Sequence, residues 1–152
     1  MAYSSDIYNF RAVKTSLTTS GQPTEEQLRA LAEEGYEVII NLALHDDPRY
    51  SLEDETGLVE SLGMEYIHIP VQFDAPTEDD LLKFSDAMDA NREKMIHIHC
   101  AANMRVSTFL GLYHAIRKER SIEEAFTPMQ SVWEPDEVWS AFISEMLEKY
   151  AD

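Results

Sequence analysis

The sequence predicts a single α/β domain over residues 1–152, with a largely parallel central sheet of about four or five strands flanked by helices. Three observations carry that expectation. Extended and helical patterns alternate along the whole chain, which is the arrangement of parallel strands joined by crossover helices. The run Tyr36 to Leu44 is apolar enough for a central strand. The 152 residues suffice for one buried core, and a single cysteine leaves no internal disulfide to staple it.

In chain order, a strand near Ser16 to Thr19 comes first, and Gly21-Gln22-Pro23 turns the chain. Thr24 with Gln27 forms a capping box that opens a helix to about Glu34, and Gly35 closes it. The strand Tyr36 to Leu44 leads into the acidic loop His45-Asp46-Asp47-Pro48. Ser51 with Asp54 starts the next helix, and Gly63 ends it. Met64 to Ile69 supplies a third strand, stopped by Pro70. Thr77 with Asp80 caps a helix through about Ala90. Met95 to His99 reads as a strand, and Val106 to about Lys118 as a helix with Phe109, Leu110, Tyr113 and Ile116 at helical spacing. Ser121 and Glu124 open a helix to about Ser131, and Pro135 takes a first-turn position in a last helix reaching Tyr150. No repeat, low-complexity tract or interdomain linker interrupts the pattern.

The 29 acidic residues outnumber 12 basic ones, giving a net charge of −17. Such a field repels nucleic acid and anionic membranes, so neither is an expected partner. It also opposes an anionic substrate, which must then be captured by local donors. No stretch approaches the ~20 apolar residues of a membrane span, and Met1 to Phe10 contains Ser4, Ser5 and Asp6 rather than the apolar core of a secretion signal. A cytoplasmic location is the expectation, and the lone cysteine suits a reducing compartment.

Ligands of open α/β sheets bind at the C-terminal edge of the strands, which directs attention to His45 to Tyr50, Pro70 to Pro76 and the segment after His99. That segment is Cys100-Ala101-Ala102-Asn103-Met104-Arg105. Cys100 lies between a strand end and a helix N-terminus, where free amides and the positive end of the helix dipole bind oxyanions and favour a thiolate. Arg105 adds a bidentate donor for a tetrahedral oxyanion. Thiolate, loop amides and guanidinium together make a site for attack on a phosphate ester. The scheme needs neither metal nor cofactor, and His97 and His99 alternate on a strand with no clustered cysteines to form a metal centre.

His-Cys, a short loop, Arg and a hydroxyl residue resemble the signature of the cysteine-dependent protein tyrosine and dual-specificity phosphatases. Ser20-Gly21-Gln22-Pro23, Val38-Ile39-Ile40-Asn41-Leu42 and Tyr66-Ile67-His68-Ile69-Pro70-Val71 join the resemblance. The chain looks most like a compact group of bacterial phosphatase-like proteins that includes the domain of beta-lactamase-hydrolase-like proteins. The resemblance implies that Cys100 attacks phosphorus and carries the phosphoryl group, while Arg105 and the amides from Ala101 through Asn103 and Met104 to Arg105 hold the equatorial oxygens. It also implies an acid on a loop before the cysteine. Asp74, in Val71-Gln72-Phe73-Asp74-Ala75-Pro76, is the first candidate by position, with Asp46 and Asp47 in reserve. The expected partner is a phosphorylated small molecule or phosphoprotein bearing phosphotyrosine or a related aryl phosphate; the uncharged residues 101–104 disfavour polyphosphorylated inositides.

The chain departs from that signature in three places. Four residues rather than five separate Cys100 from Arg105, Asn103 stands where the pattern has glycine, and Val106 stands where it has a hydroxyl, with Ser107 one later. Asn tolerates left-handed backbone, so Asn103 is compatible with the turn. Ser107 is a candidate donor to the departing thiolate, or an ordinary first-turn serine; His99 is a candidate for orienting the loop, or a satisfied core histidine. Four residues is also the loop length of many rhodanese-like sulfurtransferases, whose cysteine carries a persulfide. Sulfur transfer, or phosphate binding without turnover, are the alternative readings; a buried, inert cysteine is the plain one. Trp133 and Trp139, with Glu134 and Asp136 between them, read as packing and helix-start residues rather than a substrate platform.

Overall fold

Ile96 and Ile98 alternate with His97 and His99, and all four are buried, so this strand is covered on both faces. The structure, a computed structural model, describes residues 3–44 and 52–151. Its sheet holds β1 (Arg11–Lys14), β2 (Leu17–Ser20), β3 (Val38–Asn41), β4 (Glu65–His68) and β5 (Ile96–His99) in the spatial order β1-β2-β5-β3-β4. β5 is central, pairing in parallel with β2 and β3, and β4 runs parallel to β3. Only β1 is antiparallel, hairpinned onto β2 at the edge.

Seven α-helices complete the described fold: α1 (Glu25–Glu33), α2 (Glu55–Ser61), α3 (Glu78–Ala90), α4 (Met104–Ile116), α5 (Ile122–Ala125), α6 (Thr127–Gln130) and α7 (Glu137–Lys149). The period-2 alternation divides the core in two. Val38, Ile40, Ile96 and Ile98 join Phe84, Phe109, Leu110 and Trp139 in the larger cluster, which takes in buried faces of α3, α4 and α7. On the opposite face Ile39 joins Leu28, Leu31, Tyr36, Val59 and Met64, which takes in α1 and α2. None of the helices is long and apolar enough to cross a membrane, among the described residues.

The local signals mostly act as the sequence implies. Thr24 and Gln27 form the reciprocal capping box of α1, and Thr77 accepts from the Asp80 amide to cap α3. Gly35 and Gly63 follow the ends of α1 and α2 at φ +99° and +85°, backbone that side-chain-bearing residues adopt at a steric penalty. Beyond one-residue shifts at strand ends, four boundaries differ. The strand expected over Tyr36 to Leu44 shortens to Val38–Asn41. The helix after the Cys100 loop begins at Met104, two residues earlier than expected, because Asn103 takes φ +68° and turns the chain into it. The helix expected from Ser121 to about Ser131 is two short ones joined at Phe126, since Pro128 has no N–H to donate back to the preceding turn. Pro135 precedes α7 rather than entering its first turn, because the Asp136 side chain accepts from the Trp139 amide and is itself the cap. β1 was not foreshadowed by the pattern. Ser51, and the loop His45 to Tyr50 with Asp46 and Asp47, lie outside the described residues.

Candidate active site

The site is built where β5 gives way to α4. Cys100 follows His99 directly, is 1% exposed, and lines a pocket of about 200 Å³ together with Phe73, Ala101, Ala102, Met104 and Arg105. The loop is held from outside. The Gln22 amide donates to the Ala101 carbonyl at 3.0 Å, and Asn9 Nδ2 donates to the Ala102 carbonyl at 3.1 Å. With those carbonyls engaged, the amides of Ala101, Ala102, Met104 and Arg105 donate to no described residue, and two of them belong to the open first turn of α4.

Asn103 explains how a loop without glycine closes. Its φ of +68° is in the left-handed region, which Asn enters more readily than most residues. Its Nδ2 donates to the Asn9 carbonyl and to Thr19 Oγ1, each at 2.9 Å, so the side chain points into the scaffold and not into the pocket. Asn103 therefore shapes the loop, and Ala101, Ala102 and Met104 line it.

Arg105 is 8% exposed, and its Nη1 donates to the Val71 carbonyl at 2.9 Å. The guanidinium lies 5.9 Å from the centre of the Phe73 ring, a cation–π contact. Phe73 in turn packs 5.6 Å from Trp133 and 6.0 Å from Trp139, ring centre to ring centre. Trp139 Nε1 donates to the Phe73 carbonyl at 2.7 Å. The segment after β4 is thus tied to α4 through Val71 and to α7 through Phe73. Asp74, next in the chain, is exposed in the turn beside the pocket-lining Phe73. Trp139 is fully buried packing, as the sequence implies, and it also anchors this turn.

Ser107 is buried and donates to the Asn103 carbonyl at 2.6 Å and the Met104 carbonyl at 3.3 Å. Its hydroxyl is committed to the helix backbone, and no hydrogen bond joins it to Cys100. Val106, directly after Arg105, is fully buried in the core.

Beneath the loop, on the α1/α2 side of the sheet, lies a buried polar layer. His99 Nε2 donates to Glu55 Oε2 at 2.6 Å, with both side chains completely buried. Glu55 Oε1 accepts from Gln22 Nε2 at 2.8 Å. Burial, and then the Glu55 carboxylate, push the Tyr66 phenol well above its ordinary range, while Asn41 Nδ2 donates to its oxygen at 3.0 Å. His97 sits between the Thr18 and Ser20 hydroxyls, 2.8 Å from its Nδ1 and 2.7 Å from its Nε2. Burial first, and His99 second, push His97 well below its ordinary value. Glu55 is the residue that sequence reasoning missed: an acid in a helix first turn reads as solvated, and only the packing of α2 against β4 and α1 reveals its burial.

With the geometry in view, comparison with known proteins is informative. Residues 3–140 match the family described as DSP-PTPase phosphatase fused to NAD+ kinase. A DUF442 protein from Shewanella putrefaciens CN-32, described as a putative phosphatase, is 31% identical, with 97% of each chain covered and a TM-score of 0.86. Two more distant structures share the fold: Tk-PTP in its active form, at 22% identity, 93% and 95% coverage and a TM-score of 0.72, and PTPMT1 in complex with PI(5)P, at 15% identity, 93% and 96% coverage and a TM-score of 0.77. No protein of curated function matches. The loop, the parallel sheet that presents it and these likenesses agree that the chain belongs to the DSP-PTPase phosphatase family, within the cysteine-dependent protein tyrosine and dual-specificity phosphatase superfamily.

Proposed function

We propose that the protein hydrolyses phosphomonoesters, with aryl phosphates such as phosphotyrosine as the substrate class, through a cysteinyl-phosphate intermediate. The observation that carries this reading is the pocket in which Cys100 and Arg105 line one cavity with Ala101, Ala102 and Met104, whose amides donate to no described residue. In the first step Cys100 Sγ attacks phosphorus and the ester oxygen departs, taking a proton from Asp74. In the second, water attacks phosphorus, Asp74 takes its proton, and the thiolate leaves inorganic phosphate behind. Arg105 and the amides hold the equatorial oxygens as charge redistributes. The apolar lining of Phe73, Ala101, Ala102 and Met104 supplies a surface for an aromatic leaving group.

The test is aryl phosphate hydrolysis by wild type and Cys100→Ser. A folded Cys100→Ser protein should lose activity, because the serine hydroxyl is largely un-ionised at neutral pH; wild-type activity in that variant refutes the nucleophile assignment. The four-residue loop favours a second reading, sulfur transfer. In it Cys100 takes the outer sulfur of thiosulfate as a persulfide and releases sulfite. With cyanide supplied to accept the persulfide's outer sulfur and regenerate the thiolate, faster turnover of thiosulfate than of aryl phosphate by the same preparation selects that reading.

A further inference from the structure

Glu55, first residue of α2, is 1% exposed and is the one buried carboxylate among the described residues. An acid in a helix first turn ordinarily faces water, where it complements the dipole at little cost. Burying it costs several kcal/mol unless both oxygens are satisfied. Here both are, and their partners explain the burial. Oε2 accepts from His99 Nε2, and His99 is bonded covalently to Cys100, whose carbonyl lies 3.4 Å from His99 Nδ1. Oε1 accepts from Gln22 Nε2, and the Gln22 backbone amide donates to the Ala101 carbonyl. One carboxylate therefore grips the residue before the cysteine directly and the residue after it through Gln22.

We propose that Glu55 is a positioning residue that clamps the cysteine loop from both flanks, through His99 on one side of Cys100 and Gln22 on the other. It touches neither substrate nor the reacting atoms. Its effect is on the angle at which Sγ and the loop amides meet the oxyanion, where a misplacement of about 1 Å costs as much as 10²-fold in rate. The proposal rests on Cys100 being the nucleophile.

Glu55→Met removes both acceptors at similar length, whereas Glu55→Gln keeps one oxygen for His99 and an amide that Gln22 can meet with its own carbonyl. In folded Glu55→Met we expect kcat on an aryl phosphate to fall about 10- to 100-fold with KM nearly unchanged, and Glu55→Gln to recover most of the loss. Alkylation of Cys100 by iodoacetamide, which needs no phosphatase turnover, should change in Glu55→Met and return in Glu55→Gln. Adding His99→Asn to Glu55→Met should slow the enzyme no further than the slower single variant, since both act along one path. Wild-type kcat and alkylation in folded Glu55→Met, or losses that multiply in the double variant, overturn the clamp. Should Glu55→Met fail to fold, Gln22→Ala removes the side-chain link from Glu55 to residue 22 and the bond to the Pro23 carbonyl, while the backbone amide of residue 22 still holds the Ala101 carbonyl; unchanged kcat and alkylation there overturn the clamp as well. If wild type cleaves no aryl phosphate, the proposed reaction fails while the alkylation results still decide the role of Glu55.

Discussion

Gly21→Ala tests how closely the scaffold presses on the cysteine loop. Gly21 forms an isolated antiparallel bridge with Ala102, and its amide donates to the Tyr8 carbonyl at 2.7 Å. A Cβ at this position meets the Ala101 carbonyl oxygen at 2.5 Å and Tyr8 Cδ2 at 2.8 Å, while ordinary contact starts at 3.4 Å. The exposed Tyr8 ring is free to swing aside. The Ala101 carbonyl is not, because the Gln22 amide holds it, so the loop itself must retreat by roughly 1 Å, a displacement large against the precision of catalytic geometry. A shift of that size costs up to about 10²-fold in kcat, or about 2.7 kcal/mol of barrier. The assay is steady-state hydrolysis of an aryl phosphate, with circular dichroism confirming the fold. A folded Gly21→Ala enzyme with wild-type kcat refutes the argument that Gly21 sets the loop position.

Two further predictions follow from the site and the core. If Asp74 protonates the leaving group, Asp74→Asn should slow esters of poorly acidic alcohols far more than activated aryl esters and flatten the basic limb of the pH–rate profile; equal losses on both return Asp74 to an exposed loop carboxylate. His114, 5% exposed, is pushed down from 6.5 to about 4 by burial first and by Arg120, Lys14 and Arg92, with Glu119 opposing. The unfolded chain then binds a proton that the folded one refuses, so this stability is present above the unfolded value and is lost as pH falls from 6.5 toward 4. By pH 5 the loss amounts to about 2 kcal/mol, and urea unfolding of His114→Gln should show a pH 7-to-5 decline smaller by about that amount; parallel declines in the two proteins exclude His114 as the source.

Much of this architecture is written locally. The Thr24–Gln27 box, the Thr77 cap and the glycines after α1 and α2 act within a few residues, where sequence rules are strong. Cys100, Arg105 and the intervening loop are adjacent in the chain, so a strand end followed by a helix start is enough to assemble them. β1 was illegible because four residues with alternating partial exposure at a sheet edge gain their structure from pairing with β2, not from their own pattern. Glu55 was illegible for a different reason. It lies 44 residues before His99, among 29 acids that look alike in sequence, and its burial follows from how α2 docks. Asn103 sits between these cases: its left-handed backbone was legible from residue type, whereas the Asn9 and Thr19 partners of its side chain were not.

In the proposed reaction, the bond from Arg105 Nη1 to the Val71 carbonyl bears on how the oxyanion is received. A guanidinium carries five N–H groups in a rigid fork, and spending one on the protein leaves the other four pointing in directions fixed before any ligand arrives. A free arginine side chain gives up about 1.5–2 kcal/mol of rotational freedom when a ligand immobilises it. Here folding has already taken that freedom away, so more of the interaction with an incoming oxyanion remains as affinity. The same tether makes the arginine a reporter on its neighbour: any movement of the turn beyond Val71 tilts the fork, and the grip on the anion changes with it.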